Sequence, residues 1–182
     1  MSNWQRLIKA LFFIIILGFG FTQPAFGQTG TVVRIEPNYV EVDPGESFTV
    51  AVEIANVKEL YGFDVAISYD PSVIAFVDYE LGDFLEAGLE VPITHEPGTA
   101  RCVLAQAGSD PKSGSGTLCI FNFVAEDLSA ESDLILSISE LSDCESYLIE
   151  NQTENGFVQV GEPKGGNDTF IPLLLFNAGK YK

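Results

Sequence analysis

Few residues of this chain are of types that do chemistry, and their surroundings narrow what they can do. His95 is the only histidine and stands between Thr94 and Glu96. A catalytic imidazole needs a nucleophile and an orienting group, and a metal-binding one needs further ligands. Neither context surrounds His95, so it reads as a solvated loop residue. The cysteines are Cys102, Cys119 and Cys144. Cys102 and Cys119 lie in the apolar runs RCVLAQ and GTLCIFNFVA, where nothing lowers a thiol pKa. Acidic residues number 26 against nine Lys and Arg, yet none falls in a catalytic motif or in a calcium loop of alternating Asp and Asn. The residues predict no enzyme, no bound metal and no cofactor.

A disulfide is the chemistry left to the thiols. The two runs read as a hairpin joined by the Gly/Ser/Pro loop Gly108–Gly116, and Cys102 and Cys119 share the core-facing parity. A cross-strand bridge between them is geometrically open. Three cysteines allow three single bridges, and free buried thiols are the other reading.

The elements that hold these residues are strands. Phe63, Val65, Ile67 and Tyr69 alternate with Gly62, Asp64, Ala66 and Ser68. That period of two makes a strand with one buried and one open face. Asp70-Pro71 stops it, because proline fixes its own backbone and keeps the preceding residue out of the helical region. The open face is small and polar, which suits docking better than a catalytic cleft. Thr31–Glu36, Tyr39–Val42, Phe48–Ile54, Val73–Tyr79, Arg101–Gln106, Thr117–Ala125, Leu134–Ile138, Tyr147–Glu150 and Gly156–Val160 also read as strands. Asp43-Pro44-Gly45-Glu46 is a turn signal, and Gly82–Gly98 a longer loop. Short strands between Gly/Pro turns, with no long helical pattern, predict an all-β, two-sheet sandwich or jelly roll of about nine strands.

The ends differ from this domain, which runs over residues 31–161. Residues 1–27 carry Arg6 and Lys9, an eleven-residue apolar block from Leu11 to Phe21, and Ala25-Phe26-Gly27. These are the three parts of a secretory signal peptide, with cleavage expected before Gln28. The domain is then secreted and extracellular, or associated with the cell surface. Residues 162–182 form a polar linker and a short apolar tail, FIPLLLF, too short to span a bilayer. The formal charge of −17 repels phosphate backbones and excludes nucleic acid as a partner. Asn151-Gln152-Thr153 and Asn167-Asp168-Thr169 fit the glycosylation triplet.

From Val32 to Val160 the chain resembles a single cohesin domain, the receptor module of cellulosome scaffolds. The resemblance rests on PGESFTVAVEI, then YGFDVAISYDPSVIAFVDYELGDFL, GTARCVLAQ, SGSGTLCIFNFVA and a closing NGFVQVGE. It implies a nine-stranded jelly-roll β-sandwich that docks a dockerin-like module on one sheet face, in extracellular polysaccharide degradation, with calcium carried by the partner. The family's contact positions match Gly62 and Asp64 on the first strand. Val103, Ala105 and Gln106 match on the strand after the long loop, and Leu118, Ile120 and Asn122 on its neighbour. Position 62 is glycine where the family often carries a polar residue. Related sandwiches bind carbohydrate directly, which is the second reading. Sugar faces stack rings on flat aromatics. The only tryptophan, Trp4, lies in the leader, and Tyr39, Tyr61, Tyr79 and Tyr147 remain.

Overall fold

A computed structural model describes residues 30–161, apart from 86–87, 92–95 and 109. The leader, the FIPLLLF tail, His95 and Asn167 lie outside the described residues. Eleven strands form two mixed sheets, and no helix occurs among the described residues. In chain order the strands are β1 (Thr31–Glu36), β2 (Tyr39–Val42), β3 (Ser47–Leu60), β4 (Gly62–Ser68), β5 (Ile74–Leu81) and β6 (Leu89–Glu90). They continue with β7 (Thr99–Ala105), β8 (Lys112–Ala125), β9 (Ala130–Ser142), β10 (Asn151–Glu154) and β11 (Gly156–Val160). One sheet has the order β10-β1-β3-β8-β5, the other β2-β11-β9-β4-β7-β6.

The sandwich expected from the sequence is present, with more strand segments because the chain crosses between sheets. Pro37-Asn38 separates β1 in one sheet from β2 in the other, and Asn155 does the same for β10 and β11. The two crossings meet, since the Phe157 amide donates to the Asn38 carbonyl at 2.9 Å. Gly156 is required there: a Cβ would lie 2.9 Å from Ile35 Cγ2. β6 falls inside the expected long loop. Tyr147–Glu150 is not a strand, having only an isolated bridge between Ser142 and Leu148.

The predicted hairpin of Arg101–Gln106 with Thr117–Ala125 does not form. β7 pairs with β4 and β6, whereas β8 pairs with β3 and β5 in the opposite sheet. The Gly/Ser/Pro connection is a crossing between sheets, not a turn within one.

Alternate residues of each strand fill the space between the sheets. Val50, Val52 and Ile54 of β3 and Phe121 and Phe123 of β8 meet Phe63, Val65 and Ile67 of β4 and Leu134 and Leu136 of β9. Phe123 is the aromatic centre, with ring centroids 5.6 Å from Phe48, 5.2 Å from Tyr69 and 6.0 Å from Phe76. Burying one such side chain contributes about 1.5–3 kcal/mol, so the alternation itself holds the two sheets together. At the open edge the Tyr79 hydroxyl of β5 donates to the Glu90 carboxylate of β6, joining the sheets. Burial first, then that bond, raises the Tyr79 pKa.

Candidate docking face

The outer face of the six-stranded sheet follows from strand register. β4 lies between β9 and β7, and its outward residues set the rows. Gly62 is opposite Ser142 and Ala105, Asp64 opposite Glu140 and Val103, Ala66 opposite Ile138 and Arg101, and Ser68 opposite Ile135 and Thr99. Leu89 of β6 extends the first row beyond Ala105. The Val91 amide donates to the Val103 carbonyl at 3.2 Å and extends the second.

Asp64 sits at the middle of this face and is paired. Arg101 Nε donates to Asp64 Oδ1 at 2.7 Å, and Arg101 Nη2 donates to Asp64 Oδ2. The two are diagonal neighbours across β4 and β7, within reach of a long side chain. The side chains remain 20% and 39% exposed. A pair this accessible contributes only about 0–1 kcal/mol to stability; its main effect is to orient charge. The hydrogen bond to Asp64 comes first in holding Arg101 above its usual pKa, and the charges of Asp64 and Glu140 add to it. Glu140 stands directly across from Asp64, so the row has two carboxylates and one guanidinium. Like charges directly opposed are unfavourable, and Arg101 offsets that.

One end of the face is apolar. Leu148, on the connection after β9, is 70% exposed, and Leu89 of β6 is 67% exposed. Leu148 lines a shallow groove of about 180 Å³ with Gly62, Asp64, Val103, Ala105, Glu140 and Ser142. Gly62 is the floor. A Cβ there would lie 3.1 Å from Ser142 Oγ and 3.2 Å from the Leu104 carbonyl oxygen. The oxygen is backbone and cannot rotate away, so glycine leaves the strand open to close approach.

The structure brings together Gly62, Asp64, Val103 and Ala105 of the sequence candidates, and separates the rest. Gln106 continues the inward parity of Cys102 and Leu104. It is 4% exposed, and its side-chain amide finds no partner among the described residues. Leu118, Ile120 and Asn122 belong to β8, in the opposite sheet. Ile120 and Asn122 are on that sheet's outer side, where Asn122 Nδ2 donates to Asp78 Oδ1 at 2.6 Å. Leu118 is 1% exposed. The pairing passes from Val52–Cys119 to Glu53–Thr117, so Leu118 is the extra residue of a bulge that breaks the alternation.

Sequence reasoning read a strand at Leu134–Ile138, inside β9, but named no site residue on it, and it gave Arg101 no role. Outward Asp133, Ile135, Ile138 and Glu140 of β9 alternate only up to a bulge at Ser137, where the pairing jumps from Ile67–Leu136 to Ala66–Ile138. Arg101 has meaning only once register places it beside Asp64.

Cys102 and Cys119 are fully buried free thiols, and Cys144 is exposed. No group of three or more His, Cys, Asp or Glu that could hold a metal occurs among the described residues. Asn151 is engaged within the fold: its Nδ2 donates to the Ser139 carbonyl at 3.0 Å, and its Oδ1 accepts from Ser139 Oγ at 2.7 Å. The four tyrosines make no common platform. Tyr39 of β2 stacks on Phe157 with centroids 6.0 Å apart, Tyr79 is on the opposite sheet, and Tyr147 is on the β9–β10 connection.

A two-sheet sandwich with a charged, accessible sheet face and an apolar end defines an interaction module of the jelly-roll class. The cohesin-domain family matches residues 33–160, and the chain belongs to that family. A non-cellulosomal cohesin of the archaeon Archaeoglobus fulgidus is 22% identical, with TM-score 0.62 over 73% of this chain and 92% of that one. The sixth cohesin of scaffoldin B from Acetivibrio cellulolyticus, solved in complex with a dockerin, is 17% identical, with TM-score 0.64 over 73% and 100%. A cohesin module of a family 33 glycoside hydrolase from Clostridium perfringens is 16% identical, with TM-score 0.57 over 74% and 97%. At these identities the likeness is one of fold. No curated protein matches the chain.

Proposed function

We propose that this chain is an exported, non-catalytic receptor module that docks a dockerin-like protein on the outer face of its six-stranded sheet. The observation that carries the reading is the row Glu140–Asp64–Val103 with Arg101 beside it, accessible at the centre of the face. A fixed carboxylate array recognises a partner's cations and N–H donors, and the apolar end formed by Leu148 and Leu89 supplies contact area. Interfaces commonly combine these two elements. Cohesins of the same fold have been solved with dockerins bound, which supports the choice of partner. Any calcium belongs to the partner. The leader-like residues 1–27 support export, and a role in extracellular polysaccharide degradation follows from the family's usual setting.

The test is affinity capture from the host's secreted proteins, with the domain and its Val103→Glu variant as baits. Capture of dockerin-bearing proteins by the first and not the second is the expected result. Retention of the domain on cellulose or xylan without any protein partner would replace this reading with direct carbohydrate binding. Equal capture by both baits would remove this face from the interaction.

A further inference from the structure

At one end of the six-stranded sheet β11 and β4 stop and β9 and β7 begin. Two hollows meet there, and Tyr69 is a wall of both. One, of about 220 Å³, is lined by Tyr69, Pro71, Ala75, Phe76 and Pro97, with Glu96 as its charged residue. An apolar cavity of ~150 Å³ already holds one benzene ring, so this hollow has room for an aromatic side chain. The other, of about 370 Å³, carries the carboxylates of Asp70, Glu131 and Asp133. Between residues 30 and 161 the only Lys and Arg are Arg34, Lys58, Arg101 and Lys112. The two arginines are held by Glu53 and Asp64. Lys58 and Lys112 lie at the far end of the sandwich, where β3 stops and β8 begins. The domain thus brings no cation to its acidic hollow.

The segment after β11 supplies what both hollows lack. Val160 is opposite Ala130, and Gly161 lies against Ser129, so the chain leaves the fold beside the start of β9. From there the strand order is β11, β9, β4, β7. A chain crossing that end meets Glu131 and Asp133 first, then Asp70 and Tyr69, then Pro97. The sequence keeps the same order: Lys164 comes three residues after Gly161, and Phe170 opens FIPLLLF six residues later. Three strand spacings of ~4.8 Å make about 14 Å. The eight residues Glu162–Thr169 reach up to ~27 Å when extended.

We propose that residues 162–176 fold back across this end of their own domain, with Lys164 in the Asp70–Glu131–Asp133 hollow and the ring of Phe170 in the Tyr69–Phe76 hollow. The assignment does not depend on the identity of any dockerin-like partner. A short flexible linker holds the segment at millimolar effective concentration, so a weak contact is enough. Docking shelters part of an apolar run that would otherwise face water. The segment then borders the docking face at its Ser68 row and leaves the Leu148 groove open.

The experiment exposes the full chain to a lysine-specific protease. Cleavage after Lys164 tracks the undocked fraction when opening is fast, so a segment docked about nine-tenths of the time is cut ~10-fold more slowly than in Phe170→Ser. That variant changes no described residue, so the comparison holds without perturbing the fold. Equal rates in the two chains would overturn the proposal. Slowing that grows with protein concentration would overturn it too, because the occupant would then be the segment of a second copy. Proton NMR of the full chain gives the place: nuclear Overhauser contacts should join the Phe170 ring to Tyr69 and Phe76. Contacts with Leu148 instead would put the segment in the docking groove and end the assignment.

Discussion

On the five-stranded sheet, Arg34 of β1 and Glu53 of β3 are directly opposite, and Arg34 Nη2 donates to Glu53 Oε2 at 2.6 Å. On the six-stranded sheet, Arg101 reaches diagonally to Asp64, and a second carboxylate, Glu140, stands across from Asp64. On the first face Arg34 stands between Glu53 of β3 and Glu154 of β10, and the neutral amide of Asn122 hydrogen-bonds Asp78. The second leaves an excess of negative charge at its centre, beside a groove floored by glycine. Two sheets of similar construction thus differ in what they offer a neighbour. Both faces set two carboxylates about one guanidinium, but only the Asp64–Glu140 row lies beside a glycine-floored groove with an apolar end, where a cation or N–H donor brought by a neighbour also finds apolar contact.

The comparison breaks first at Val103. Val103→Glu adds a third carboxylate beside Asp64 and Glu140 and should weaken partner binding at least ~100-fold, or roughly 2.8 kcal/mol. Ile120→Glu, on the opposite face, should leave it unchanged. Calorimetric titration of both variants decides, and equal losses would mean that the two faces are not distinguished by the partner. Asp64→Ala comes next. It should cost about tenfold in affinity, as expected for hydrogen bonds to a charged group, while folding stability changes by less than about 1 kcal/mol. Glu53→Ala, the matching change on the other sheet, should alter neither affinity nor salt dependence.

Smaller effects sharpen the comparison at the edges. Tyr79→Phe removes the hydroxyl that joins β5 to β6 and should lower stability by about 1 kcal/mol, a few degrees in thermal midpoint. An unchanged midpoint would show that the two sheet edges are held by packing alone. The smallest effect concerns Asp70, at the end of β4. Its Oδ1 accepts from the Ser72 amide at 2.9 Å and from Ser72 Oγ at 2.6 Å. These bonds, side chain first, hold the carboxyl below its usual pKa. The unfolded chain therefore binds the proton at higher pH than the folded one does. The stabilisation is complete above the ordinary carboxylate pKa and fades as pH falls through the lower folded value. The midpoint difference between the natural chain and Asp70→Asn, followed against pH, should be constant near neutrality and shrink in acid.

Much of the fold was legible because half-buried strands alternate with a period of two. β1 and β2 were read to the residue, and β4 within one position, from Val33, Val65 and their neighbours. What failed depended on pairing. RCVLAQ and GTLCIFNFVA are adjacent in sequence and separated by turn residues, which suggests a hairpin. Their strands enter different sheets, and short-range pattern carries no information on that choice. Leu118 was assigned outward by parity, and a single bulge turned it inward. Of the candidate docking face, Gly62, Asp64, Val103 and Ala105 were named from the family resemblance, and they fall on one face because their strands alternate cleanly. Glu140 and Ile138 were not, because β9 loses its phase at Ser137. Arg101 was visible as a residue but not as the partner of Asp64, since cross-strand neighbours exist only once register is set.

The first and last strands of the domain pair with each other twice, in parallel, β1 with β10 and β2 with β11. The chain thus enters the sandwich at Thr31 and leaves it beyond Val160 at opposite ends. Tension applied between those points runs along these strands and strains all of their ladder bonds together, instead of peeling them one at a time. A tether built this way should give way in a single abrupt rupture when stretched between its ends. Optical or cantilever pulling at Thr31 and Gly161 would reveal gradual unravelling if the parallel pairs do not carry the strain.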